Sequence, residues 1–125
     1  MRRQRDPGER GQAAIELVGV VFVVVLVSLL AVQGITVAQT ASITQEAARN
    51  GARALSQGQD WRAVVQRHVP DGLEMKRMRG DVERGDAQVR VTVSAPLGLA
   101  GLEITDVSVT RTATFPVPQP RGTED

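Results

Sequence analysis

At 125 residues and a formal net charge of +1, the chain has room for one membrane helix and one small domain. It contains no cysteine, which excludes disulfides, zinc–thiolate sites and a cysteine nucleophile. Beyond Gln39 the acidic and basic side chains balance at eleven each, so no basic excess marks a nucleic-acid binder.

The mean hydropathy of −0.12 averages over a strong asymmetry, because the apolar residues concentrate in the first third. The opening segment is basic: Arg2, Arg3, Arg5 and Arg10 face only Asp6 and Glu9. An apolar run follows. From Leu17 to Val32 only Gly19 and Ser28 interrupt it, and Ile35 to Ala38 extend it past Gln33 and Gly34. The span 17–38 would make about 33 Å of helix, enough to cross the ~30 Å hydrocarbon layer. Arginines ahead of the run predict a cytoplasmic N-terminus and an exported C-terminal part. Two other targeting readings stay open. A secretory signal peptide would have a shorter apolar run and an Ala-x-Ala-like site, which Thr36-Val37-Ala38 matches poorly; an uncleaved anchor needs no site at all.

Helix formers continue beyond the run. Val37, Ala41, Thr44, Ala48, Ala52 and Leu55 recur at spacings of three and four, one stripe on a helical face. Gln39, Gln45, Glu46, Arg49 and Arg53 suit the opposite, wet face. Gly51 weakens the helix by about 1 kcal/mol relative to alanine, and Ser56-Gln57-Gly58 reads as its stop. A helix over 13–57 would be about 67 Å long. Asp60 is a plausible N-cap for a short helix through His68, which Pro70 ends. Pro70-Asp71-Gly72 signals a turn.

Leu73 and Met75 then alternate with Glu74 and Lys76, a strand ending before Gly80. Residues 80–86 read as an exposed loop. From Gln88, Val89, Val91 and Val93 alternate with Arg90, Thr92 and Ser94, a half-buried strand. Pro96 to Leu102 breaks it with an apolar, glycine-rich loop. In the last strand, Val107, Val109, Ala113 and Phe115 share a face that Arg111 interrupts. Pro116, Pro118 and Pro120 stop sheet pairing and leave an extended tail. The predicted fold is α+β: a long N-terminal helix packed on a small antiparallel sheet of about three strands. Its divisions are a leader over 1–11, a helix over 12–57 that crosses the membrane at about 17–38, an exported domain over 58–115 and a tail over 116–125.

Arg10-Gly11-Gln12-Ala13-Ala14-Ile15-Glu16-Leu17 joins leader to apolar run. A carboxylate at the edge of lipid is costly unless it stays at the headgroups or finds a partner. This stretch resembles the class III signal of type IV pilin-like proteins, in which a basic leader ends in glycine and a glutamate is the fifth mature residue. With Glu46-Ala47-Ala48-Arg49-Asn50-Gly51-Ala52-Arg53-Ala54, it most resembles the TadE-like minor pseudopilins of Flp (tight-adherence) pilus systems; the likeness covers roughly Arg10 to Leu55. It implies a prepilin peptidase cut between Gly11 and Gln12 and a role for Glu16 in assembly, through the free amine of a neighbour's Gln12. It also implies partners: other pilin or pseudopilin subunits, the peptidase, platform proteins and membrane lipid. No cofactor and no nucleic acid enter. The alternative is an unprocessed single-pass membrane protein with a small exported binding domain, in which Glu16 is only an interfacial carboxylate.

Catalytic chemistry finds little support. His68 is the only histidine, and no serine or acidic motif surrounds it; surface or helix-end duty is its expected role. Asp81, Glu83 and Asp86 do not have the spacing of a calcium loop, and Arg84 sits among them. Trp61 is expected to pack the short helix onto the long one, with an assembly anchor as the other reading. The expectation is a structural protein and no enzyme.

Overall fold

The computed structural model describes residues 7–99 and 102–119 of the chain. The first leader residues, the middle of the apolar stretch at 96–102 and the end of the proline-rich tail lie outside them. In chain order come helix α1 (Pro7–Ser56), helix α2 (Trp61–His68) and strands β1 (Glu74–Glu83), β2 (Asp86–Leu99) and β3 (Leu102–Pro116). The three strands form one antiparallel sheet in the order β1-β2-β3. This is the expected α+β arrangement of a long N-terminal helix with a three-stranded sheet. The chain divides into two units, the first ending at Ile35 and the second beginning at Thr36.

In the first unit α1 starts earlier than the sequence suggested, at Pro7 instead of Gln12. Proline is well suited to a first helical position, because its fixed φ fits and its missing N–H would find no partner there. Apolar side chains stand exposed all round this segment, including Leu17, Phe22, Leu26 and Leu30. The hydroxyl of Ser28 donates to the carbonyl of Val24 at 2.8 Å, so the helix itself satisfies it.

In the second unit only one face of α1 is buried. Thr44, Ala48 and Ala52 of the expected stripe are fully covered, and Thr40, Ala47, Gly51 and Ala54 widen it. Thr40 and Thr44 donate to the carbonyls of Thr36 and Thr40 at 2.9 and 2.6 Å, so two hydroxyls enter the interior already paired. The helix ends where the sequence placed its stop. Gly58 takes a φ of +69°, and the N–H groups of Gln59 and Gly58 donate to the carbonyls of Ala54 and Leu55 at 2.9 and 3.1 Å. That is a Schellman cap, which favours glycine at its left-handed position.

The core forms where α1, α2 and β2 meet. Ala47, Ala48 and Ala52 pack with Trp61, Val65, Val89, Val91 and Val93. Each fully buried valine contributes about 1.5–3 kcal/mol. Glycine sets how closely these elements approach. A Cβ on Gly51 would lie 2.5 Å from Val65 Cγ2 and 3.2 Å from Val89 Cγ1. On β1, a Cβ on Gly80 would meet the Trp61 ring at 2.7 Å. Trp61 therefore lies over a strand glycine as well as α1. Asp60 caps α2 as expected, its side chain accepting from the Ala63 N–H at 3.3 Å.

The strands depart from the sequence reading in three places. The exposed loop expected at 80–86 is strand: β1 continues to Glu83, which pairs with Asp86. Only Arg84 and Gly85 turn, with φ of +53° and +89°, the two left-handed residues of a type I′ hairpin. Second, β2 does not break at Pro96 but runs to Leu99, paired with β3 throughout. Pairing with β1 ends at Ser94, so Pro96 lies where β2 has lost one neighbour and its missing donor is tolerated. Third, β1 carries a bulge: Met75 pairs with Val93 and Arg77 with Thr92. Lys76 is the extra residue, which moves the half-buried positions from Met75 to Met78.

The bulge brings Lys76 to an outward polar cluster. Its Nζ lies 2.8 Å from Glu74 Oε2 and 3.8 Å from Asp106 Oδ2, and the buried Ser94 hydroxyl donates to Asp106 Oδ2 at 2.8 Å. The Ser94 hydrogen bond, helped by the Lys76 charge, holds the Asp106 carboxyl below its usual range. The hydrogen bond to Glu74 raises Lys76, and the two nearby carboxylates add to it.

Two predictions follow from this packing. Gly51→Val should lower stability by about 1–3 kcal/mol through overpacking against Val65 and Val89, read by the fluorescence of the single tryptophan during denaturation. The Asp106 cluster sets an acid dependence. A carboxyl depressed in the folded state stabilises above its ordinary value near ~3.9 and loses that contribution as pH falls through the lower folded value. Asp106→Asn should therefore melt below wild type at pH 7, and the gap should close as the pH falls through and below the ordinary carboxylate range. A gap that stays constant across this range would show that the carboxylate charge is not the cause.

Candidate functional site in the apolar helix

The helix α1 is long and apolar enough to cross a membrane, and none of its most apolar 18-residue window is buried. Fourteen large apolar residues between Ile15 and Ile35 are exposed, from 46% at Leu26 to 76% at Ile15. On insertion scales such residues return roughly 0.3–0.6 kcal/mol each in lipid, or roughly 4–8 kcal/mol together. A single carboxylate near the end of the segment costs less than that, so Glu16 does not prevent insertion.

Gly11, Gln12 and Glu16 all lie on α1 and all are exposed. Gln12 and Glu16 are four residues apart, so they share a face one turn apart. Among the described residues, no ion pair or hydrogen bond reaches the Glu16 carboxylate. Nothing lies within 4 Å of where a Cβ on Gly11 would be, so packing inside this chain does not require glycine there. Gly8, Gly19 and Gly34 are equally open; what distinguishes Gly11 is its place at the polar-to-apolar junction.

The other candidates have local work. His68 Nδ1 donates to the Val64 carbonyl at 2.8 Å, and its Nε2 lies 3.1 Å from Asn50 Nδ2. A carbonyl only accepts, so the proton sits on Nδ1 and Nε2 accepts from the amide. The ring thus ties α2 to α1, with Asn50 as a partner the sequence did not suggest. Asp81 accepts from Arg79 Nε at 3.1 Å within β1, and among the described residues no three acidic or histidine side chains gather as a metal site. Trp61 is buried and its ring stacks under Arg62 at 4.9 Å.

Gly51, Gly80 and the Ser94–Asp106 pair are the positions that sequence reasoning missed. A glycine inside a helical pattern was a signal for close packing, whereas nothing local announces a pairing between strands. No protein-family model, curated protein or solved structure matches this chain.

Proposed function

We propose that the chain is a minor pseudopilin of the TadE-like kind, acting in assembly of a Flp or type IV-like pilus or a related secretion apparatus. A prepilin peptidase cuts it after Gly11. The N-terminus is cytoplasmic and the domain beyond Ala38 is extracytoplasmic. Its partners are other pilin-like subunits, the platform proteins and lipid, and its role is structural, without catalysis. One observation carries this reading: Glu16, five residues past Gly11, has no partner among the described residues, on a helix exposing apolar side chains on every side. Cutting there frees the amine of Gln12, and a neighbour's Glu16 would hold it in an environment where an unpaired charge is expensive.

The helix bounds favour a second reading. Since α1 begins at Pro7, the Gly11–Gln12 bond lies inside it, as an uncleaved anchor would have it. The obstacle to cleavage is small. The first four N–H groups of a helix have no partner within it, and Gly8 and Gly11 each weaken it by about 1 kcal/mol. The first turn can therefore unwind into a peptidase at little cost.

The two readings separate on the N-terminus of the membrane form. Processing predicts a mature chain starting at Gln12, lighter by about 1.3 kDa at ~0.11 kDa per leader residue. An intact Met1 in assembled protein would establish the anchor. An export-dependent reporter fused after Asp125 should be active; activity of only a cytoplasm-dependent reporter would reverse the topology.

Glu16→Gln tests assembly itself, since it removes the charge at nearly constant size. The variant should insert and be cut normally, yet lose co-purification with pilus components, at a cost of about 1–3 kcal/mol per unpaired amine. Wild-type assembly by this variant would reduce the helix to an anchor.

A further inference from the structure

Beyond Ser94 the sheet narrows to two strands, and the β2–β3 ribbon projects past the end of β1. Here Leu102 and Ile104 are each 73% exposed, more than any other large apolar side chain among the described residues of the second unit. The register slips between Leu97 and Gly98, which pair with Thr105 and Glu103. Ile104 is therefore a bulge residue, displaced from the regular pleat. The slip is built in: a Cβ on Gly98 would lie 2.2 Å from the Leu102 carbonyl oxygen. The base of the ribbon opens into a groove lined by Glu74, Glu103, Ile104 and Asp106. Lys76 is the one cation paired there, so the rim of this apolar patch carries a net charge of about −2 at neutral pH.

A complementary surface lies on the same unit. Arg49 and Arg53 stand one turn apart on the exposed face of α1. Among the described residues neither guanidinium makes an ion pair. Like charges at this spacing destabilise an isolated helix, and Glu46 nearby offsets only one of the two. An acid-rimmed apolar arm and an unpaired arginine face on one chain complement each other in sign and lie on different elements.

We propose that the β2–β3 arm of one copy docks on the Arg49/Arg53 face of a second copy, a head-to-tail contact that leaves one arm and one arginine face free to continue. Arm-to-arm pairing is disfavoured because it would set Glu103 and Asp106 against their own equivalents. A bilayer surface is disfavoured too, because anionic headgroups repel the acidic rim. The contact goes beyond the pseudopilin reading and does not require the cut at Gly11.

The chain has no native cysteine, so introduced pairs report without background. Full-length Ile104→Cys and Arg53→Cys chains, distinguished by tags, are co-inserted in vesicles of zwitterionic and anionic lipid and oxidised. Mixed Ile104–Arg53 dimers should dominate. Adding Glu103→Lys should reduce them about fivefold, as for an exposed charge pair, and Arg49→Glu in the partner should restore them. A predominance of Ile104–Ile104 dimers, or an equal yield with Arg79→Cys on β1, would overturn the proposal. So would labelling of Ile104→Cys by a lipid-phase reagent with no dimer formed. Tryptophan fluorescence confirms that each variant is folded, and loss of the leader, read on the same gel, reports processing independently.

Discussion

At Gly51 a helix, a second helix and the central strand converge on a backbone position with no side chain. The second unit has few large residues with which to build an interior: its aromatics are Trp61 and Phe115, and Phe115 is 41% exposed. With so little volume available, close approach has to replace bulk. Alanines at 47, 48 and 52 bring α1 down onto the valines of β2, and Gly51 admits Val65 and Val89 where even a methyl group would collide. Gly80 does the same for Trp61 on β1. A core of valines and alanines reaches interior density only by such short distances. The same economy leaves β3 thinly covered, with Arg111 exposed on the side whose neighbours Val91 and Val93 are fully buried.

The two units solve opposite problems with one continuous element. From Leu17 to Val32 the side chains of α1 are apolar on every face apart from Ser28, which suits a solvent without hydrogen bonds. After Thr36 the apolar positions contract to one stripe, and Glu46, Arg49 and Arg53 face outward. The hydroxyls of Ser28, Thr40 and Thr44 obey a single rule in both settings, donating to the carbonyl four residues back. A hydroxyl bonded in this way needs nothing further from lipid or core.

What the sequence made legible follows from locality. The two helices, the Asp60 cap, the Gly58 stop and the alternation of Val89, Val91 and Val93 are all encoded within a few residues, and all were readable. The errors arose where distant chain decides. Arg84-Gly85 makes a tight hairpin without the Asn-Gly or Asp-Gly signature, so nothing local distinguishes residues 80–86 from a loop. Pro96 breaks a strand only where that strand is flanked on both sides, and that β1 does not extend beyond Ser94 is invisible from the sequence of β2. The bulge at Lys76 disguised β1 by shifting its half-buried positions mid-strand. At the candidate site, the junction of Gly11 with the apolar run and the isolation of Glu16 were both plain in the sequence. The helical state of the Gly11–Gln12 bond is not, because Gly8 and Gly11 lower the helix propensity of a segment whose start at Pro7 carries no apolar periodicity.

The polar groups of the apolar helix differ in whether this chain satisfies them. Between Ile15 and Ile35, Ser28 is satisfied by Val24 and Gln33 also has a partner, while Glu16 has none among the described residues. It lies four residues past Gln12, at the start of the apolar run. A partner must then come from water and headgroups at the membrane edge, or from another molecule. The first of these costs the chain nothing and asks nothing of neighbouring residues; the second makes the lone carboxylate a register mark, because an opposite charge can meet it at one axial position only. The roughly 4–8 kcal/mol that the apolar side chains would return in lipid is the same under either arrangement and does not depend on Glu16. A charge that insertion does not need, one turn from Gln12 and followed by no polar side chain until Ser28, is the feature on which the assembly proposed above would rest.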